Sequence, residues 1–150
     1  MTLRLTVLLA AVSLLQRPGP TLEQYLENAS GPGAVDCGTF STIHNGMALP
    51  PRRSSKATTK VESMRESLAC AAQALKDHKG FTIVQRGPAM HAEMASGVLG
   101  NADGVTLWFD SDGAPCGGPG CARSFETKPC PLPDVRVVDT PRNHVFKCDK

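Results

Sequence analysis

The cysteines are the residues of this chain whose number and positions indicate the clearest chemistry. There are six, and all of them lie beyond an apolar N-terminal stretch: Cys37, Cys70, Cys116, Cys121, Cys130 and Cys148. Thiols that occur in even number in an exported chain are typically oxidised to disulfides. The sequence therefore predicts a disulfide-bonded protein that is secreted or periplasmic.

The cysteine positions also favour one pairing. Cys116 and Cys121 are close in the chain, and the glycines between them permit a tight ring. At about 100° per residue, Cys70 lies on the side of its predicted helix that faces away from the apolar stripe, where residues 35–38 could cross over the helix. The predicted pairs are therefore Cys37–Cys70, Cys116–Cys121 and Cys130–Cys148.

Metal binding is the alternative chemistry for this part of the chain. The four C-terminal cysteines with His144 are zinc-ligand types, but a second closely spaced pair is missing and an oxidising compartment favours disulfides. The segment Asp110-Ser111-Asp112-Gly113 resembles the start of a calcium loop, yet Cys121 stands where the loop needs its bidentate glutamate. We predict no metal site, and an exposed, calcium-indifferent loop over residues 110–120.

Residues for catalysis are present but scattered. The chain has four histidines: His44, His78, His91 and His144. No serine-hydrolase, zinc-protease or phosphate-loop motif accompanies them. Catalytic groups can nevertheless be assembled from distant positions, so a small hydrolase site built from His91, Glu93, Asp110 or Asp112 remains an alternative. The sequence predicts no catalytic residue and no cofactor.

Trp108 is the residue that could mark a contact surface. Strand alternation places it on one face with Thr106 and Asp110, opposite Val105, Leu107 and Phe109. Aromatic anchors are enriched in binding hot spots, whereas a lone tryptophan can equally pack under a second layer. We predict that Trp108 is substantially shielded, that its neighbours on the other face pack against the long helix, and that Trp108, Asp110 and Asp112 form the candidate contact surface.

The N-terminus and the charge limit the function classes. An apolar run over residues 5–15 is shorter than the roughly 17–25 residues of a membrane span but suits a signal peptide, predicted here over residues 1–20 with its cleavage position open. The net charge of +2 includes Arg4 and Arg17, and the basic cluster over residues 51–56 has no aromatic residues. The sequence therefore predicts neither a nucleic-acid partner nor a membrane span once the leader is removed.

Residues 21–150 have the size and pattern of one domain. A capping box at Thr21 and Gln24 predicts a short helix, and residues 60–78 form an amphipathic helix that Gly80 ends. Residues 44–58 are predicted to be a mobile loop. Strands are predicted over residues 81–86, 92–99, 105–110, 122–128, 135–138 and 144–148. The predicted fold class is α+β, with one long helix packed on an antiparallel sheet of hairpins and reinforced by disulfides.

Several motifs occur in a recognisable order. They are Asp36-Cys37-Gly38, the helix segment from Glu66 to Leu75 with Cys70-Ala71, the segment from Gly80 to Gln85, Asp103-Gly104, Asp110-Ser111-Asp112 and Cys130-Pro131. In this order the chain, over residues 35–148, resembles a group of small uncharacterised bacterial exported proteins and lipoproteins. The Cys116–Cys121 segment departs from that pattern. The resemblance implies export and the same fold, and it leaves the activity open.

These observations lead to one functional expectation and two alternatives. We expect a non-enzymatic secreted or envelope module that binds a protein or another surface ligand. The first alternative is the small hydrolase described above. The second is a protease inhibitor, because a rigid disulfide loop such as residues 116–121 suits that role.

Overall fold

The computed structural model describes residues 19–41, 61–88, 93–113, 123–139 and 144–149. The predicted loop over residues 44–58 and all but the last two residues of the predicted leader lie outside this part. The helices are α1 (Leu22–Ser30) and α2 (Val61–Lys76), and a 3₁₀ turn spans Leu132–Asp134. The strands are β1 (Val35–Ser41), β2 (Phe81–Pro88), β3 (Glu93–Gly100), β4 (Thr106–Asp112), β5 (Ser124–Pro129), β6 (Val135–Asp139) and β7 (His144–Cys148).

The first five strands form one mixed sheet in the order β1-β2-β3-β4-β5. β1 runs parallel to β2, and the remaining pairs are antiparallel. A parallel pair needs a crossover connection, and α2 lies between β1 and β2 in the chain. β6 and β7 form a separate hairpin, called the C-terminal hairpin below. The α+β class is therefore correct, but the prediction of one long helix on a sheet of hairpins alone is wrong.

A β-bulge explains why β1 could not be identified from alternation. The β1–β2 register shifts between Asp36 and Gly38, so that Cys37 is the extra residue. Cys37 and Phe40 are both buried in the core beside α2, although they are three positions apart and strict alternation would place them on opposite faces. The Asp36 side chain stabilises the bulge by accepting from the Gly38 N–H at 3.0 Å.

The disulfide Cys37–Cys70 joins this bulge to α2. The pairing agrees with the prediction, but the predicted geometry is wrong. Cys37 lies in the sheet and does not cross the outer side of the helix, while Cys70 is half-buried and packs against the core. The reason is that α2 turns Ser67 and Ala74 inward as well as Met64 and Ala71, so its buried face is rotated towards Cys70.

Both faces of the sheet are covered. On the first, called the α1 face, α1 packs over a core made of Leu22, Leu26, Val84, Ala95, Leu99 and Phe109. On the second, called the α2 face, α2 and the C-terminal hairpin share a core with Ile83, Val98, Trp108 and Phe146. Leu107 and Phe109 therefore pack against the short helix and Val105 is exposed. The prediction that these three residues face the long helix is wrong, because alternation separates two faces without saying which helix covers each.

The helix ends show one confirmed and one incorrect prediction. Thr21 and Gln24 form the expected capping box at the start of α1. α2, by contrast, ends at Lys76 and is terminated by His78, whose left-handed backbone (φ 54°) allows Lys79 N–H to donate to the Ala74 carbonyl at 2.9 Å. Gly80 serves a different purpose from the predicted one, because a side chain there would overlap the Ser30 carbonyl oxygen at the end of α1.

The buried Gln85 side chain attaches the C-terminal hairpin to the sheet through hydrogen bonds. Gln85 of β2 is 7% exposed, and its Nε2 donates to the Phe146 carbonyl at 3.1 Å and to Ser96 Oγ at 2.9 Å. Its Oε1 accepts from the Phe146 N–H at 3.0 Å. The Gln85 amide thus bonds both backbone groups of one β7 residue, as a neighbouring strand would, and satisfies groups that would be costly to bury alone.

A second attachment is covalent. The disulfide Cys130–Cys148, which agrees with the predicted pairing, joins the end of β7 to the residue after β5. Cys130 is fully buried, and its N–H donates to the Thr106 carbonyl at 3.1 Å. The third predicted pair, Cys116–Cys121, lies outside the described residues.

We expect Gln85→Met to lower the free energy of unfolding by about 2–4 kcal/mol, because Phe146 would keep a buried N–H and carbonyl without their partner. Urea unfolding followed by circular dichroism measures the change. Gln73→Met on the exposed side of α2 is the matched control and should stay within about 0.5 kcal/mol of the parent. Equal stability of the two variants would contradict the role given to Gln85.

Candidate functional site

A groove of about 550 Å³ lies on the α2 face, between the main sheet and β7. This volume is within the roughly 300–1,000 Å³ typical of ligand sites. We call it the hairpin groove and define it by its principal lining residues: Gln85, Met94, Ser96, Trp108, Asp110, Asp112, Ser124, Glu126, Val145, Phe146 and Lys147. The four strands from β2 to β5 form the floor of the groove, and β7 forms one wall. Segments that are distant in the sequence therefore build the groove together.

β4 positions the three residues that the sequence singled out as a contact surface. Trp108, Asp110 and Asp112 alternate along this strand and all line the hairpin groove. The prediction of an exposed loop beginning at residue 110 is wrong for its first residues. β4 continues through Asp112, which pairs with Met94 on one side and Ser124 on the other. Flanking strands on both sides override the turn preference of Asp and Ser here. Residues 114–122 lie outside the described part.

Trp108 is both shielded, as predicted, and part of the groove. It is 7% exposed and belongs to the same core cluster as Cys130 and Phe146. Its indole Nε1–H donates to Asp110 Oδ2 at 2.9 Å. The bond satisfies the buried indole and orients the Asp110 carboxylate. The aromatic ring and the carboxylate therefore form one ordered unit in the groove.

Acidic groups are in excess in the hairpin groove. Asp110 of β4 lies directly opposite Glu126 of β5, and Asp112 lies two residues further on the same face. Lys147 of β7 is the basic residue among the lining residues, and Lys128 lies beside the groove, opposite Trp108. Like charges placed directly opposite each other destabilise a strand pair. The Asp110–Glu126 pair is therefore a feature that folding alone does not favour.

The hydrolase alternative finds no assembled site in the described residues. Glu93 belongs to the α1 face, where Arg86 donates to it at 2.7 Å and to Glu23 of α1 at 3.0 Å. Burial opposes the charge on Arg86, but the hydrogen bonds to Glu23 and Glu93 outweigh it and raise the arginine pKa. Asp110 and Asp112 lie on the opposite face of the sheet. The sheet thus separates the predicted acids, and His91 lies outside the described residues.

The structure also decides between disulfide and metal chemistry for the cysteines that it describes. Cys130 and Cys148 are bonded to each other, so they are not thiolate ligands of a zinc ion. In the part of the chain that is described, no cluster of three or more His, Cys, Asp and Glu residues is arranged to hold a metal ion.

Sequence reasoning missed several residues of the groove. Gln85 could have been identified from the sequence, because it is a polar residue at the end of an apolar strand segment. A glutamine buried at such a position needs hydrogen-bond partners. Glu126 shares a strand face with Ser124, which alternation alone could have shown. Phe146 and Lys147 carried no signal, because only the position of the C-terminal hairpin brings them to the groove.

A scan against protein-family models found no match, and searches of curated proteins and of solved structures found none either. Neither of the two helices in the described ranges has the length and apolar character needed to cross a membrane.

We expect the double variant Cys130→Ala/Cys148→Ala to lose about 3 kcal/mol of unfolding free energy, because the bond closes a chain segment with a sequence separation of 18 residues. Trp108 is the single tryptophan of the chain, so its emission reports on the groove. Loosening of the β7 wall should shift that emission to longer wavelength before global unfolding.

The matched comparison is Cys37→Ala/Cys70→Ala, which removes the disulfide between β1 and α2. This variant should also be less stable, but its folded state should keep the parental Trp108 emission maximum. An unchanged maximum in both double variants would contradict the placement of Cys130–Cys148 as a support of the groove.

Proposed function

We propose that the protein is a non-enzymatic binding module, secreted or held in the cell envelope, that binds a protein or another surface ligand in the hairpin groove. One observation carries the proposal: a groove of about 550 Å³ combines an indole, other apolar side chains and an excess of carboxylates on ordered strands. Pockets that join apolar surface to a few placed polar groups are typical ligand sites.

The rigidity of the surroundings supports binding. The floor belongs to strands that are paired on both sides from β2 to β4. The β7 wall is attached by the Gln85 amide and by Cys130–Cys148. A site that is ordered before the ligand arrives loses less conformational entropy on binding, and this loss is one of the main costs of association.

The location rests on the disulfides and on the N-terminus. The disulfides Cys37–Cys70 and Cys130–Cys148 favour an oxidising compartment, and the apolar residues 5–15 suit a signal peptide. The motif order that resembles small bacterial exported proteins supports the same location and a bacterial origin. The protease-inhibitor alternative gains no support, since the loop on which it depends lies outside the described residues.

A capture experiment with two matched variants tests the proposal. Ser124→Phe places a ring in the groove, whereas Thr127→Phe adds the same ring to the opposite face of the same strand. Both positions are exposed, so both variants should fold. The oxidised protein and the two variants are immobilised and exposed to secreted and envelope material of the source cells.

We expect the parent and Thr127→Phe to retain at least one common component that Ser124→Phe loses. Mass spectrometry of the retained material, quantified against each bait, measures this difference. Identical sets on all three baits would show that the hairpin groove is not the binding site.

A further inference from the structure

We infer that the hairpin groove binds an alkyl ammonium or guanidinium group, presented as a lysine or arginine side chain on a partner protein. This inference rests on the proposed function and specifies the chemistry of its ligand. It follows from the arrangement of charge, of aromatic surface and of exposed apolar surface within the groove.

The charge arrangement calls for a cation. Asp110 and Glu126 are both exposed and directly opposed across β4 and β5, and Asp112 follows on the same face. A positive group between Asp110 and Glu126 would replace their repulsion with two attractions. Lys147 lines the groove and Lys128 lies beside it, opposite Trp108, so the feature that favours a cation is the directly opposed pair of Asp110 and Glu126. An anionic ligand group placed next to this pair would add to its repulsion.

The Asp110 carboxylate is already oriented for such a group. Trp108 Nε1–H donates to Oδ2 and thereby limits rotation of the carboxylate. An ionised carboxylate accepts hydrogen bonds at both oxygens, so Oδ1 can accept from an ammonium or guanidinium N–H. Bonds of this charge-assisted kind are stronger than neutral ones.

The apolar lining points to an organic cation with a stem. Met94 is 51% exposed and lines the groove together with Val145, so both present apolar surface to a ligand. Lysine and arginine bury their methylene stems along apolar surface while the charged end stays polar, and the flexible methionine thioether adapts to such stems. The described residues offer no metal-binding cluster, so an inorganic cation fits less well.

The test uses peptides and the full, oxidised, ¹⁵N-labelled chain. The probes are acetyl-Ala-Lys-Ala-amide and its norleucine and glutamate analogues, which differ only at the central side chain. The Trp108 indole N–H resonance is the reporter, since the chain has one tryptophan. We expect the lysine peptide to shift this resonance in a saturable way, and to bind about twofold to fivefold more tightly than the norleucine peptide.

Variants assign the preference to the groove. Glu126→Gln should remove most of the lysine preference, whereas Glu27→Gln, an exposed charge on α1 across the sheet, should retain it. Added salt should weaken the lysine peptide more than the norleucine peptide.

Three results would overturn the inference. Equal binding of the lysine and norleucine peptides would show that the ligand does not need a positive charge, although the groove would still be a binding site. Tighter binding of free putrescine than of the lysine peptide would show that the ligand is a small amine and not a side chain of a partner protein. No shift of the indole resonance with any peptide would reject the inference, while the capture pattern of Ser124→Phe and Thr127→Phe would still decide the proposed function separately.

Discussion

The pairing of the Gln85 amide with the backbone of Phe146 is the interaction on which the groove depends. It is the link through which a strand outside the main sheet is held in register with β2. A buried amide contributes little net stability when it is bonded and costs much when it is not. The interaction therefore favours one position of the C-terminal hairpin, because a displaced hairpin would lose both hydrogen bonds between the Gln85 amide and the Phe146 backbone.

The groove exists because the α2 face is covered by two unequal elements. α2 contacts β1 and β2, near one edge of the sheet. The C-terminal hairpin covers Trp108 further along, but β4 and β5 extend beyond it and present Asp110, Asp112 and Glu126. On the opposite face, β5 is covered by the short helix, since Tyr25 of α1 stacks on Phe125 of β5 with ring centroids 4.0 Å apart. The asymmetry between the two layers thus creates the site.

Local features of the sequence predicted much of the fold, whereas features that depend on contacts between distant segments were not predicted. β7 was predicted at its observed bounds, and the strand face with Trp108 and Asp110 was identified, because alternation is a property of neighbouring residues. Asp112 was predicted to lie in a loop, whereas β4 continues through it. β1 was missed because the bulge at Cys37 breaks that alternation. The opposition of Asp110 and Glu126 and the approach of Phe146 to Gln85 depend on register and docking between distant segments, which no local pattern encodes.

The most direct test of this account is the hydrogen-exchange rate of one backbone amide. The Phe146 N–H donates to a side chain of the main sheet, so its protection measures how firmly the C-terminal hairpin is held there. Exchange followed by NMR should show the Phe146 amide protected to the same degree as the amides of the central β2–β3 ladder. Exchange near the rate of an unstructured chain would mean that the hairpin is not docked, and would contradict the existence of the groove.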